Sequence, residues 1–384
     1  MDRDLPTDAV APPSSHPTPE QRIAQLAERL YAILDEAIKD PRQWRRLLDS
    51  SATLWRYSGG NVALLSMQMA QRGKEPPTLV AGYKEWERHG RYVLKGEHAL
   101  YVIAPRTAPA KGPETDGRNP EYSRLDDVVP PAEAEPRARL VGWRGQAVFD
   151  VSQTEGEPLL VPVTEGPPYS AATDQAPRQL WESLTGVARA ARFNVVLSDA
   201  QTGLADGYTD HGRHLISIGA WLGPDERLAT LAHELGHASL HVPGDALGAL
   251  YGSSAEHRGL AEIEAESVAY VILRAHGIDR GAQSSGYLAG WADAVLEAEA
   301  DSIVRCTRDR KPMSRVDIAK SVLGRVTSVA RTILEATSPS DYGGRLVERG
   351  RHRQTAPPNP VPQGHAGPMP TLPVSSISGP SIAG

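Results

Sequence analysis

Leu228-Ala-Thr-Leu-Ala-His-Glu-Leu-Gly-His-Ala-Ser-Leu-His241 contains the pentapeptide His233-Glu234-Leu235-Gly236-His237, and its spacing carries a geometry. Residues four apart on a helix share one face, so His233 and His237 can bind one metal ion. Glu234 follows His233, where it can reach a metal-bound water as general base. Gly223-Pro224-Asp225 supplies a helix start, with proline in the first turn and an acid at the positive end of the dipole. From Glu226 to Leu240 only Gly236, inside the motif, disfavours a helix. The same spacing also suits a buried amphipathic helix carrying two hydrogen-bonded histidines.

A catalytic zinc needs a third protein ligand and an open position for water. The acidic run Glu262-Ile-Glu-Ala-Glu266 falls on a helix expected from about 259 to 275, with Val268, Ala269, Val271 and Ile272 as its apolar body. Glu262 and Glu266 lie one turn apart, so one can ligate while the other orients a ligand histidine. Glu262 is taken as the ligand and Glu266 as its support, and the two roles are interchangeable at this level. His241 extends the series, but helical drift over eight residues swings it away from the metal. It reads as a helix-end histidine near the negative pole of the dipole. Glu264 is expected to point into solvent.

Leu231-Ala-His-Glu-Leu-Gly-His-Ala-Ser-Leu-His241, followed by Glu262-Ile-Glu-Ala-Glu266-Ser-Val-Ala269, resembles the ImmA/IrrE metallopeptidases. Their pattern is HExxH, a nearby Leu-His, then ExxA(N/D)xxA. The resemblance covers about residues 175 to 300. It implies a Zn2+ cofactor and peptide hydrolysis, with Glu234 catalytic and His233, His237 and Glu262 as ligands. The chain departs from the pattern in carrying Glu266 where Asn or Asp is usual, which keeps an acceptor there.

With 384 residues the chain can hold two domains and flexible ends. A net charge of −6 announces no nucleic acid at whole-chain level. The single cysteine, Cys306, excludes an intramolecular disulfide framework and a cysteine-based zinc site. Met1-Asp-Arg-Asp-Leu-Pro6 lacks a signal peptide's apolar stretch, and no apolar run reaches membrane-spanning length, so a cytoplasmic protein without a membrane partner is expected. Composition predicts disorder in 1–17 and in the Pro-rich tail 338–384, a first domain over 18–155 with an insertion at 107–138, a linker at 156–175 and a second domain over 176–337.

Apolar spacing in the first domain predicts helices from Gln21 to Ile38, from Pro41 onward with Trp44, Leu47, Leu48 and Leu54, and from Val62 to Arg72. Ala99–Ala104 reads as a strand. Two apolar runs flanking Arg144-Gly145 suggest a β-hairpin. Between Thr18 and Arg106 stand 14 Lys+Arg against 10 Asp+Glu, a basic island in an acidic chain. Single-strand binding needs cations along the backbone and aromatic faces for bases. Tyr83, Trp86, Tyr92, Arg88, Arg91 and Lys95 offer both, although Trp86 and Tyr92 also suit a core short of Phe. Asn61 can touch a nucleotide or cap the following helix.

Tyr57-x-Gly-x-Asn61, Gly90-x-x-Val93-x-Lys95-Gly96-Glu97 and Val148-Phe149-Asp150-Val151-Ser-Gln153-Thr154 resemble the N-terminal domain of ArdC-type antirestriction proteins over about residues 20 to 155. That resemblance implies single-stranded DNA as partner, and such proteins also carry a metallopeptidase-like second domain.

In the second domain Leu180–Ala191 reads as a helix, and Phe193–Leu197 and His214–Gly219 as strands. By analogy with zincin-like folds, His214–Ile218 is a plausible edge for a peptide substrate of unknown identity. Tyr287 and Trp291 read as a core pair, and the stretches 294–307 and 314–336 as helices behind the site. Tyr251, Tyr208 and His257 are the candidates for stabilising an oxyanion.

The expected class is α+β: a small α+β N-terminal domain, then a mostly helical zincin-like metallopeptidase domain with a short antiparallel sheet. The leading functional reading joins single-stranded DNA binding to zinc-dependent peptide hydrolysis, in antirestriction or a mobile-element or defence setting. Two other readings are a DNA-binding antirestriction protein with a structural zinc, and a regulatory protease that cleaves a repressor.

Overall fold

Thr18 starts helix α1 (Pro19–Lys39): its hydroxyl accepts from the Gln21 N–H while the Gln21 side chain accepts from the Thr18 N–H. Leu26, Leu30 and Leu34 then recur at helical spacing and are buried. Asp40 ends α1 and caps α2 (Pro41–Thr53), accepting from the Arg42 N–H. Helix α3 (Gly59–Ala70) begins before the expected Val62. Its first residue must be small, because a Cβ on Gly59 would lie 2.6 Å from Leu323 Cγ.

The computed structural model describes residues 17–108, 139–159, 175–199, 205–243, 255–278 and 314–337. Tyr251, the Tyr287–Trp291 pair, the helix expected at 294–307 and Cys306 lie outside the described residues, as does the side chain of His257.

After α3 come β1 (Val80–Ala81), α4 (Tyr83–Arg88), β2 (Arg91–Val93), β3 (Leu100–Ala108), β4 (Arg139–Asp150) and β5 (Thr154–Gly156). β1, β4 and β3 form an antiparallel sheet in that order, and β2 pairs with β5. The expected hairpin at Arg144-Gly145 is instead one unbroken strand, with Arg144 opposite Ala104 and Gly145 opposite Ile103. Gly145 serves close packing, not a turn: a Cβ there would sit 3.0 Å from Cδ of Arg22, which crosses from α1.

The rest comprises α5 (Gln175–Ala190), β6 (Asn194–Ser198), β7 (Gly207–Asp210), β8 (Leu215–Gly219), α6 (Pro224–Leu240), α7 (Ala255–Ala275) and α8 (Arg315–Thr337). Their sheet runs β6-β8-β7, with β6 parallel and β7 antiparallel to β8. The short sheet is therefore mixed, where an antiparallel one was expected. The expected substrate edge, 214–218, is also corrected: this strand is the sheet's centre, paired on both sides. Its Ile216 and Ile218 are buried, as a central strand's apolar run should be.

The fold is α+β, and one apolar core runs through both halves of the sequence. Leu30 and Leu34 of α1, Trp44 of α2 and Leu64 of α3 belong to the same cluster as Leu184, Leu231, Val268, Val322 and Val326. Helix α8 is central to this joining. Its Thr327 hydroxyl accepts from the Gly59 N–H at 3.2 Å, and its Asp317 accepts from the Tyr31 hydroxyl at 3.1 Å. Asp49 of α2 accepts from the Tyr270 hydroxyl (2.7 Å) and from Arg274 (3.2 Å), both at the end of α7. A second, smaller core lies beneath the β1-β4-β3 sheet, around Leu65, Met69, Leu100 and Val148. Among the described residues no helix is long and apolar enough to cross a membrane.

Candidate metal centre

Helix α6 starts where Glu226 accepts the Gly223 N–H at 2.9 Å. It buries Leu228, Leu231, Leu235 and Ala238. That burial leaves His233 and His237 on the side facing α7, with their Nε2 atoms 3.0 Å apart. Gly236 sets the distance between the two helices. A Cβ on it would lie 2.8 Å from the Cα of Ala265, so the one residue disfavouring the helix is what lets α7 come close.

That approach brings Glu262 to both histidines, 3.2 Å from His233 Nε2 and 3.4 Å from His237 Nε2. A tetrahedral ion with bonds near 2.0–2.1 Å requires ligand atoms about 3.3 Å apart. The three donors therefore already sit at the edges of a first coordination sphere, and they form a candidate site for a divalent metal. Glu266 lies on the other nitrogen of His233, 3.3 Å from Nδ1. Burial pushes the His233 imidazole down, but its hydrogen bonds to Glu262 and Glu266 outweigh this and hold it up at about 10. The same attraction, with the His237 bond, holds the Glu262 carboxyl well below its ordinary value.

Glu234 is buried on the side of α6 that faces β7. The Thr209 hydroxyl is 2.7 Å from its Oε2 and 3.1 Å from its main-chain oxygen. Burial raises the Glu234 carboxyl above its ordinary value, against the Thr209 bond and the nearby histidines. Close packing of β7 depends on Gly207, where a Cβ would meet Thr230 at 2.6 Å and Glu234 Oε1 at 3.2 Å. An open cavity of about 780 Å³ contains the three donors, Glu234, and the β7 wall from Asp206 to Thr209. Tyr208 lines it too. So does His211, which the sequence reading passed over because it stands alone in a turn; burial holds its imidazole below the ordinary value.

One expectation is overturned here and a second is extended. Glu264 is not solvated: it is buried and paired with Arg325 of α8, whose Nε is 2.8 Å from Oε1 and Nη2 3.2 Å from Oε2. His241 does cap the end of α6, as expected, and is also hydrogen-bonded there. Its Nδ1 is 2.9 Å from His237 Nδ1 and its Nε2 is 3.1 Å from Glu264 Oε2.

The residues singled out for DNA divide. Trp86 is 0% exposed and donates through Nε1 to the Phe149 carbonyl at 3.0 Å, so it offers no face to a base. Asn61 sits inside α3 and uses its amide on the Ile103 main chain, at 2.9 Å in both directions. Arg91 donates to Thr154 and to the Glu157 carbonyl. These three hold the fold. Tyr83 (50%) and Tyr92 (55%) are exposed, as are Lys95 and Arg88, the latter beside Glu85 at 2.6 Å. Trp143, 53% exposed on β4 with Arg144 beside it, joins them; the sequence hides it, because Leu140–Trp143 reads as one of two apolar runs of a hairpin.

Residues 21–130 match the family described as the N-terminal domain of anti-restriction factor ArdC, and residues 190–281 match the IrrE N-terminal-like domain. No curated protein matches the chain. Among solved structures, the metal-free antirestriction ArdC protein from R388 plasmid is similar at 17% identity, covering 72% of this chain and 86% of that one with a TM-score of 0.36. Its Mn(II)-bound structure is similar at 15% identity, covering 73% and 89%, with a TM-score of 0.37. In chain order, then, a stretch similar to the ArdC N-terminal domain precedes a stretch similar to the IrrE-like, M78-peptidase domain, and the candidate metal centre lies within the second stretch.

Proposed function

We propose that this protein is a cytoplasmic zinc metallopeptidase coupled to a single-stranded-DNA-binding domain, acting in antirestriction or a related defence setting. The observation that carries the reading is the triangle of His233, His237 and Glu262 donor atoms, 3.0–3.4 Å apart, in a cavity that also holds Glu234. The two-imidazole, one-carboxylate set suits zinc and leaves a position for water. When bound, zinc polarises a carbonyl and lowers the pKa of water toward about 7.

The chain's own residues do the rest. Glu234 takes the proton of the attacking water and returns it to the leaving amine. Thr209 holds Oε2 and so fixes the carboxylate's orientation, leaving Oε1 to carry the proton. A carboxyl raised by burial is the better base for this task. Glu266 orients His233 from behind. Among the described residues β7 pairs only with β8, and its outer side walls the cavity, so an extended peptide is read as adding to β7. For DNA, Tyr83, Tyr92 and Trp143 supply exposed rings, and Lys95 and Arg144 exposed cations.

The test uses the full chain. Glu234→Gln should keep zinc and lose the new N-termini that the parent generates in a host lysate. If that variant leaves every activity unchanged, the peptidase reading fails and a structural zinc takes its place. Binding to single-stranded oligonucleotides that weakens with salt is expected; no binding at low salt would sink the DNA half.

A further inference from the structure

Behind His237 lies a chain of groups that the hydrolytic reading does not use: His241, which also lines the cavity, then Glu264, then Arg325. All three contacts are within hydrogen-bond distance, 2.8–3.2 Å. Arg325 brings two nitrogens to the Glu264 carboxylate, and its Nη2 also donates to the Leu240 carbonyl at the end of α6, 2.9 Å away. Arg325 lies on α8, outside both stretches that match a family.

We propose that His241, Glu264 and Arg325 are positioning residues that fix the ring orientation and tautomer of His237, so that its Nε2 presents a lone pair to the metal. The inference rests on the reading of His237 as a ligand. With His241 neutral, the contacts take one donor–acceptor arrangement. Arg325 only donates, and it donates to both Oε1 and Oε2 of Glu264, so these oxygens accept. The Nε2 of His241 must then carry the hydrogen in the 3.1 Å contact. A neutral imidazole has one N–H and one acceptor, so His241 Nδ1 accepts. The 2.9 Å contact between the two Nδ1 atoms needs one donor, and that donor is His237. Its Nε2, which faces His233 and Glu262, is left with the lone pair.

The arrangement differs from the one behind His233. There a single carboxylate, Glu266 of α7, bonds Nδ1 from the same helix that supplies Glu262. Behind His237 the support reaches a third helix, and α8 is also the helix on which Gly59 and Tyr31 are hydrogen-bonded. The ligand is thereby tied to the element that joins the two halves of the core. A mere staple between α7 and α8 would need the Glu264–Arg325 pair but not the His241 link.

The experiment compares the full chain with His241→Phe, which keeps a ring but removes the acceptor, and His241→Asn, whose carbonyl oxygen can take the place of Nδ1. Zinc affinity is read by chelator competition, and the His237 tautomer by selective 15N-histidine NMR of the metal-free chain. His241→Phe should lose about tenfold to a hundredfold in affinity, the usual effect of removing such a partner. It should also lose the Nδ1–H form of His237. His241→Asn should restore most of both, and Arg325→Gln should weaken affinity in the same direction but less. Unchanged affinity in a folded His241→Phe, or a His237 tautomer indifferent to it, would overturn the proposal. If His241→Phe fails to fold, a parent His237 lacking Nδ1–H overturns it, and a parent carrying Nδ1–H with parent-like affinity in His241→Asn upholds it. If the parent itself binds no zinc, the metal reading fails, and the tautomer comparison still decides the relay.

Discussion

The two halves of the chain treat their motif residues in opposite ways. In α6 and α7 the signature side chains converge on a cavity, while in the N-terminal half Asn61, Trp86 and Arg91 turn inward and hold the fold together. The difference is one of range. A four-residue spacing on a helix fixes which side chains are neighbours before any tertiary contact forms. A basic, aromatic stretch fixes only composition, and packing then decides which rings remain outside.

The largest expected effect concerns the inward-turned residues. Trp86→Ala should destabilise the fold by about 3–5 kcal/mol, because it empties a fully buried site and orphans the Phe149 carbonyl. Tyr83→Ala should cost less than about 1 kcal/mol in denaturant melts. Equal losses from the two would erase the distinction drawn here.

Two half-buried histidines offer a contrast within the second half. His233 is held up by its carboxylates, whereas His276, beside the Thr337 hydroxyl at 3.0 Å, is pushed down by burial to about 4. Below pH 6.5 the unfolded chain takes a proton at His276 that the folded chain refuses until about pH 4. The stability is therefore complete above pH 6.5 and is lost as pH falls toward 4, by at most about 3 kcal/mol. His276→Gln should flatten that part of the stability profile. An unaltered profile would contradict the assignment.

Next in size is Gly236→Ala. Its methyl would push against Ala265 and widen the gap between α6 and α7, costing about 1–3 kcal/mol. Metal affinity should fall with it, since Glu262 rides on α7. The smallest effect on stability is at the outward residues: Tyr83→Ala and Tyr92→Ala should change melting little and instead weaken single-strand binding, each by about 1–3 kcal/mol in salt-matched titrations.

What the sequence made readable was local. The capped helices α1 and α2, the metal-site helix and the closeness of Glu262 and Glu266 all follow from periodicity, proline and capping residues. What escaped it depends on partners far along the chain. Glu264 looked solvated because its cation, Arg325, lies 61 residues away on another helix. His241 looked idle because its role needs that same carboxylate. Gly145 looked like a turn because nothing nearby in sequence shows that Arg22 of α1 crosses the strand there. The strand 214–218 looked like an edge by analogy with zincin-like folds, because the short polar run Gly207–Asp210 that pairs along its other side does not read as a strand.

The central claim is that two helices pre-assemble a zinc site from His233, His237 and Glu262, with Glu234 beside it and not in it. Zinc stoichiometry and zinc-edge X-ray absorption of the full chain test it most directly. The account predicts one zinc per chain with two imidazole nitrogens and oxygen at about 2.0–2.1 Å, lost in His233→Ala and retained in Glu234→Gln. Zinc that survives His233→Ala, or that departs with Glu234→Gln, would contradict it.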